Sequence, residues 1–245
     1  MNYNKYHMTK IELMKYTVFY LLLDAAVSGM FYRSLIAFVL LLPGIFLFLY
    51  ENREALAKKR RKRLEQGFLM GMRYVSTALA AGYSIENAFS QAAGEMKKVC
   101  RPDEPALREF RRIVSGLRIN QTMESLLSSL GERSGVENIQ VFAEVFEAAR
   151  RTGGDLIAVI RHTTMSISKK EETSQEIEVC LSSKRMEQNI MSAVPFLLIG
   201  YVKMASPGFL DVMYGNAMGV IIMSVCLGIY IFAFLLGRKI VNIEV

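Results

Sequence analysis

Long apolar segments alternate with charged ones along this chain, and the two kinds are well separated. Residues 17–50 and 189–237 are mostly apolar, whereas residues 51–188 hold most of the charge. The clearest segment, 218–237, has no charged residue, and Arg238 and Lys239 follow it directly. A helix rises about 1.5 Å per residue, so about 20 apolar residues cross a hydrocarbon core of about 30 Å. The pattern therefore predicts a membrane protein with a water-exposed middle region.

Four membrane spans are predicted, at about 16–32, 35–50, 189–204 and 218–237. The short connections between them give two helical hairpins, one within residues 1–52 and one within residues 188–245. A run of six basic residues follows the second span, whereas the loop between the last two spans carries only Asp211. Since positive charge accumulates on the cytoplasmic side of a membrane, both termini and the middle region are expected there. The first span is the weakest because it contains Asp24, which is either a proton or ion site or a polar contact between packed helices.

The middle region, residues 53–187, shows the periodicity of amphipathic helices, with apolar residues recurring three or four positions apart. Glycines and polar caps separate the helices. The predicted turn and cap residues are Gly82, Ser84, Ser134, Gly135 and Asp155. Ser134 and Glu137 have the spacing of a capping box, in which each side chain accepts a hydrogen bond from a free backbone amide. The predicted fold class is all-α: a polytopic membrane protein with a cytoplasmic bundle of about six helices between two transmembrane hairpins.

Composition argues against catalysis and against a cofactor or metal site. The 245-residue chain has two histidines, His7 and His162, and three widely spaced cysteines, which do not form a recognisable ligand set. A phosphate-binding loop of the G-x-x-x-x-G-K-[ST] type is absent from the sequence, so the chain is not itself a P-loop ATPase. The net charge of +7 is concentrated beside a predicted span, which favours lipid head groups over nucleic acid as the partner.

Three stretches of the middle region resemble the F domain of type II secretion and type IV pilus platform proteins. They are 79–89 (LAAGYSIENAF), 120–126 (NQTMESL) and 142–156 (FAEVFEAARRTGGDL). The likeness covers about residues 65–240 and is greatest to the tight-adherence (Tad) branch, in which the domain occurs once.

The resemblance implies a non-enzymatic platform in the bacterial cytoplasmic (inner) membrane. Such a protein couples a cytoplasmic hexameric assembly ATPase to the extraction and polymerisation of pilin subunits. The implied partners are that ATPase, a sister platform protein or a second copy of this chain, the pilins and the lipid bilayer.

Two basic stretches are candidate contacts for the ATPase: the run Lys58, Lys59, Arg60, Arg61, Lys62 and Arg63, and the turn Arg150, Arg151, Gly153 and Gly154. Membrane topology and helix capping explain the same residues without a partner. Two other functions stay open, a small membrane transporter or channel subunit and a membrane-anchored signalling adaptor.

Overall fold

The computed structural model describes Tyr3 and residues 10–32, 38–39, 41–153, 155–206, 208–209, 214 and 216–241. Regular structure within these residues is helical throughout, which confirms the all-α prediction. The helices are α1 (Lys10–Val27), continued by a π-helical segment (Ser28–Tyr32), α2 (Gly44–Ala80), α3 (Ile85–Val99), α4 (Pro105–Arg118), α5 (Met123–Ser134), α6 (Glu137–Thr152), α7 (Leu156–Ala205) and α8 (Ala217–Val241).

The chain divides into two compact units. Unit 1 comprises residues 1–7 and 51–172, and unit 2 comprises residues 8–50 and 173–245. The helices α2 and α7 each carry residues of both units without an interruption. The predicted boundaries at 52 and 187 therefore fall inside continuous helices.

Unit 1 has a core of apolar side chains supplied by every helix from α2 to α7. Three aromatic contacts between described residues join the helices, Phe68 with Phe110 and with Phe142, and Phe89 with Phe110; the ring centroids are 5.5 Å apart for Phe68 and Phe142 and 5.7 Å apart for Phe89 and Phe110. The apolar positions that the sequence spaces three or four apart supply most of this core. Its largest fully buried members include Leu64, Phe68, Met72, Phe89, Met96, Leu107, Phe110, Met123, Leu127, Phe142 and Phe146.

Two glycines allow α2 to approach α4 closely. A Cβ atom at Gly67 would lie 2.5 Å from the Cβ of Ala106. A Cβ atom at Gly71 would overlap the Phe110 ring and lie 2.8 Å from Met96 Sδ. Native interiors are packed too tightly to absorb such an overlap, so both positions require glycine.

Unit 2 exposes many of its apolar side chains and buries a carboxylate. Among the described residues, two helical segments are long and apolar enough to cross a membrane, Lys10–Tyr32 and Met218–Ile240, and only 17% of an 18-residue apolar stretch in each is buried. Leu22 and Phe232, for example, are 66% and 65% exposed. Such exposure is expected of helices that face lipid and not of core helices in a water-soluble domain.

A few polar contacts hold unit 2 together. The Tyr32 hydroxyl lies 2.9 Å from Ser224 Oγ, and the Tyr230 hydroxyl donates to the Ser192 carbonyl at 2.9 Å. Asp24 is only 2% exposed, and neither of its carboxylate oxygens has a hydrogen-bond partner among the described residues. The polar helix contact considered for Asp24 is therefore not formed within the described part of the chain.

The other two predicted spans remain predictions. Residues 189–204 form the last part of α7, and Pro195 lies within that helix. The span at 35–50 and the connection at Arg33 and Ser34 lie partly or wholly outside the described residues.

Candidate partner-binding surfaces

The basic run of the sequence lies on α2 in unit 1. Lys58, Lys59 and Arg63 are exposed, whereas Arg60, Arg61 and Lys62 are half-buried. The guanidinium carbon of Arg60 lies 4.9 Å from the ring centroid of Tyr3, a cation–π distance. At least one residue of the run, Arg60, therefore makes a contact within unit 1.

The second candidate, the turn after α6, is held by ion pairs within unit 1. Arg150 Nε lies 2.5 Å from Glu124 Oε1, so that this pair connects α6 to α5. The Arg151 guanidinium lies 2.9 Å from Glu147 Oε1, one turn earlier on the same helix. These ion pairs occupy both arginines within unit 1, an explanation that differs from the membrane topology and helix capping considered from the sequence.

Glycine ends α6, as its place in the sequence suggests. Gly153 has φ 68°, and its amide donates to the carbonyls of Ala149 and Arg150. Such a left-handed residue satisfies carbonyls that the last helical turn leaves free, and glycine adopts it without steric cost. The adjacent Gly154 lies outside the described residues.

Two polar residues cap helices of unit 1. The Ser84 side chain accepts a hydrogen bond from the Asn87 amide, and the preceding turn contains Gly82 with φ 88°. The Asp155 carboxylate accepts from the amides of Ile157 and Ala158 at 3.0 and 3.1 Å. These caps satisfy amides that have no partner within the helix, so Asp155 has a structural role at the start of α7.

The capping box predicted at Ser134 and Glu137 is wrong. Ser134 is the last residue of α5, Gly135 follows it with φ 62°, and the N-cap of α6 is Val136, which makes no side-chain cap. The buried Ser134 hydroxyl donates to the Gly131 carbonyl at 2.9 Å and accepts from the Val136 amide at 3.2 Å. Because α5 and α6 are separated by only two residues, Ser134 lies too early to cap α6 and instead closes the turn between the helices.

Sequence reasoning missed a buried polar cluster around Glu109 on α4. Tyr3, which is 1% exposed, donates its hydroxyl hydrogen to Glu109 Oε1 at 2.9 Å. The Arg133 guanidinium from α5 contacts both carboxylate oxygens, at 3.4 and 3.1 Å. Burial, and next the charge of Glu109, raise the pKa of Tyr3 to about 12. A phenol that keeps its proton can continue to donate to the carboxylate, so the cluster is stable at neutral pH.

The Tyr3 backbone is fixed as well, since its amide donates to the Arg133 carbonyl at 3.0 Å. Nothing local to Tyr3 in the sequence indicates this position, because its hydrogen-bond partners Glu109 and Arg133 are more than 100 residues away. The only signal was a glutamate at a position of α4 that faces the core.

Beside this cluster, α4 and α5 form a cavity of about 210 Å³ that is open to solvent on the side of its exposed lining residues. Its polar lining includes Glu109, Arg112, Gln121, Ser125, Ser129 and Arg133. Gly116 allows α5 to begin this close to α4, because a Cβ atom there would lie 2.5 Å from Leu126 and 2.8 Å from Gln121 Oε1.

The described residues contain no group of three or more His, Cys, Asp or Glu side chains placed to hold a metal ion.

The model of the family described as "Type II secretion system (T2SS), protein F" matches residues 72–202, more than half of the chain. No curated protein and no solved structure matches this chain.

Proposed function

Because the chain belongs to the type II secretion system protein F family, whose members are structural membrane proteins of secretion and pilus platforms, we propose that it is the platform of a Tad-like pilus or a type II secretion pseudopilus. In this proposal it couples a cytoplasmic hexameric ATPase to the extraction of pilins from the inner membrane. It crosses that membrane several times, with both termini in the cytoplasm, and acts with a sister platform protein or a second copy of itself.

The family match supports the proposal most directly. Residues 72–202 include the helices α3 to α6 and almost all of α7. The exposed apolar segments Lys10–Tyr32 and Met218–Ile240 provide the membrane attachment that a platform needs. The helix α7, which is continuous from Leu156 to Ala205, is suited to transmit a displacement along its axis, because backbone hydrogen bonds connect its successive turns except at Pro195, which has no N–H.

A strain that lacks the chain tests the proposal. We expect loss of surface filaments by electron microscopy, recovery on expression of the full-length chain, and co-purification of a hexameric ATPase with the tagged chain from membranes. Filaments that assemble normally without the chain would show that it is not the platform.

The α6 turn can be tested as an ATPase contact in the same strain. Arg151→Glu is the better variant, because reversal of Arg150 would place two carboxylates together at Glu124. Arg161→Glu, the same charge change at an exposed position of α7, is the control. If Arg151→Glu leaves both ATPase co-purification and piliation unchanged, the α6 turn is not a contact.

Asp24 is the one observation that favours the second candidate, a small transporter. Asp24 is buried in a candidate membrane span and has no hydrogen-bond partner among the described residues, and buried carboxylates in such helices are a common feature of proton and ion pathways. Asp24→Asn preserves the shape and removes the charge. A proton flux in proteoliposomes that this variant abolishes would favour transport, whereas normal piliation by the variant together with no flux in either protein would favour the platform.

A further inference from the structure

The cavity between α4 and α5 carries an uncompensated positive charge. Among its lining residues, Glu109 is neutralised by Arg133, whose guanidinium lies 3.1 Å from Glu109 Oε2. The second lining arginine, Arg112, makes no hydrogen bond or ion pair with any residue that the structure describes. The lining therefore has a net charge of +1, and it favours an anion.

Two polar side chains of the cavity, Ser129 and Arg112, can donate to such an anion, whereas the Ser125 hydroxyl already donates to the Thr122 carbonyl at 3.0 Å. Ser129 Oγ accepts a hydrogen bond from Arg133 Nε at 3.1 Å, which leaves the hydroxyl hydrogen of Ser129 available. The guanidinium of Arg112 offers parallel N–H donors that match the two oxygens of a carboxylate. Glu109 does not repel the anion strongly, since Tyr3 and Arg133 already donate to its oxygens.

The positive charge extends beyond the cavity along the exposed face of α4. Arg111 and Arg112 lie three and four positions after Arg108, and Arg118 lies seven after Arg111, so these four exposed arginines cover an arc of about 120° around α4. The only acidic residue of α4 is Glu109, which points to the core. Ten residues of helix span about 15 Å, which is much longer than a single small anion.

We propose that this surface, which we call the α4 arginine face (Arg108, Arg111, Arg112 and Arg118), binds an acidic segment of a cytoplasmic partner protein, with one Asp or Glu side chain of that segment in the α4–α5 cavity beside Arg112. The charge of the face and its length argue for a peptide and not for a free ion. The inference rests on the proposed function only for the cytoplasmic location of unit 1, and its test uses purified components.

The test measures the binding of a fluorescent ten-residue peptide of alternating Glu and Ser to the full chain in phosphatidylcholine nanodiscs. Fluorescence anisotropy reports the binding. The salt concentration is about 0.1 M, at which exposed charges are screened beyond about 10 Å. A peptide with Gln in place of Glu is the matched ligand. We expect the Glu peptide to bind and the Gln peptide to bind at least about tenfold more weakly, because the difference is a set of charge-assisted contacts.

Variants of the chain then locate the site. Arg112→Glu should weaken binding of the Glu peptide about tenfold, Arg112→Gln should weaken it by a smaller factor, and the control Arg161→Glu should change it less than about twofold. Ser125→Leu fills the cavity without changing its charge and should weaken binding about fivefold. Thermal unfolding of each variant establishes that the fold is retained.

Three results would overturn the proposal. The first is equal binding of the Glu and Gln peptides. The second is equal loss of binding by Arg112→Glu and Arg161→Glu in folded protein. The third is tighter, Arg112-dependent binding of a single-stranded oligonucleotide, which would assign the α4 arginine face to nucleic acid. None of these measurements involves the ATPase or pili, so the platform proposal stands or fails separately.

Discussion

Unit 1 and unit 2 distribute apolar and charged side chains in opposite ways. In unit 1 the aromatic residues Phe68, Phe110 and Phe142 are buried and the arginines of α4 are outside. In unit 2 apolar residues such as Leu22 and Phe232 are outside and Asp24 is inside. Both units are helical, but their surfaces suit different surroundings. The charged surface of unit 1 suits water, and the apolar surface of unit 2 suits lipid. Substitutions that exchange the two patterns should have opposite effects in the two units.

The largest difference is expected for a lysine on an exposed apolar position. Ile229→Lys, at a 64% exposed position of α8, should cost about 3 kcal/mol of membrane insertion, because a lysine near the centre of a span loses its hydration. Val141→Lys, at a 41% exposed position of α6, should change stability by less than about 0.5 kcal/mol. An insertion assay in microsomes measures the first and thermal unfolding the second. Equal, small effects would mean that α8 does not face lipid.

The next effect concerns the buried phenol of unit 1. Below pH 10 Tyr3 is protonated in the folded and the unfolded chain, so it adds no dependence on pH. Its pKa rises from 10.0 to about 12 on folding, so only the unfolded chain loses this proton between these values. The free energy of unfolding should therefore fall between pH 10 and pH 12, by at most about 2.7 kcal/mol.

Denaturant unfolding at several pH values measures this change. Tyr3→Phe cannot ionise and should lack this part of the fall, while all other groups titrate as before. If wild type and Tyr3→Phe lose stability in parallel above pH 10, Tyr3 is not buried against Glu109.

A smaller effect is expected from packing in unit 1. Gly71→Val should destabilise the protein by about 2 kcal/mol, because its side chain would overlap the Phe110 ring. Gly94→Ala is the matched control on α3, where a Cβ atom meets nothing within 4 Å. That exposed helical position should gain about 0.5–1 kcal/mol from the better helix propensity of alanine. Urea unfolding followed by circular dichroism measures both, and a tolerated valine would contradict the close approach of α2 and α4.

The smallest effect is expected at Asp24 of unit 2. Asp24→Leu should stabilise the protein by about 1–2 kcal/mol, because it replaces a buried carboxylate that has no partner among the described residues with an apolar side chain. The temperature of unfolding in detergent measures the change. A loss of stability would show instead that the carboxylate is held by a group outside the described residues.

Local sequence patterns were sufficient to predict many helix ends of unit 1. Ser84 and Asp155 cap their helices through side-chain hydrogen bonds to amides two or three residues later, so the signal and its effect lie within one turn. Gly135 and Gly153 end helices in the left-handed conformation for the same local reason. Ser134 shows the limit, since a motif with the correct spacing is displaced when two helices are connected by only two residues.

Which charged side chains are unpaired was harder to predict, because the pairing of a charge depends on its neighbours in space. Arg150 and Arg151 stand out in the sequence, yet Glu124 and Glu147 pair with them. Arg111 and Arg112 do not stand out, yet they have no hydrogen bond or ion pair with any described residue. Spacing along a helix determines which face carries a charge, but it does not determine which side chain lies opposite.

The sequence by itself determined the helical fold class, the buried faces of unit 1 and the most apolar segment, 218–237, because periodicity and hydropathy are properties of neighbouring residues. Only the tertiary structure decided that Tyr3 joins Glu109 and Arg133 and that α4 and α5 form a cavity beside Arg112. These features depend on contacts between residues that are distant in the chain. The energies of these contacts come from burial and charge neutralisation, and such contacts produce no periodic pattern in the sequence.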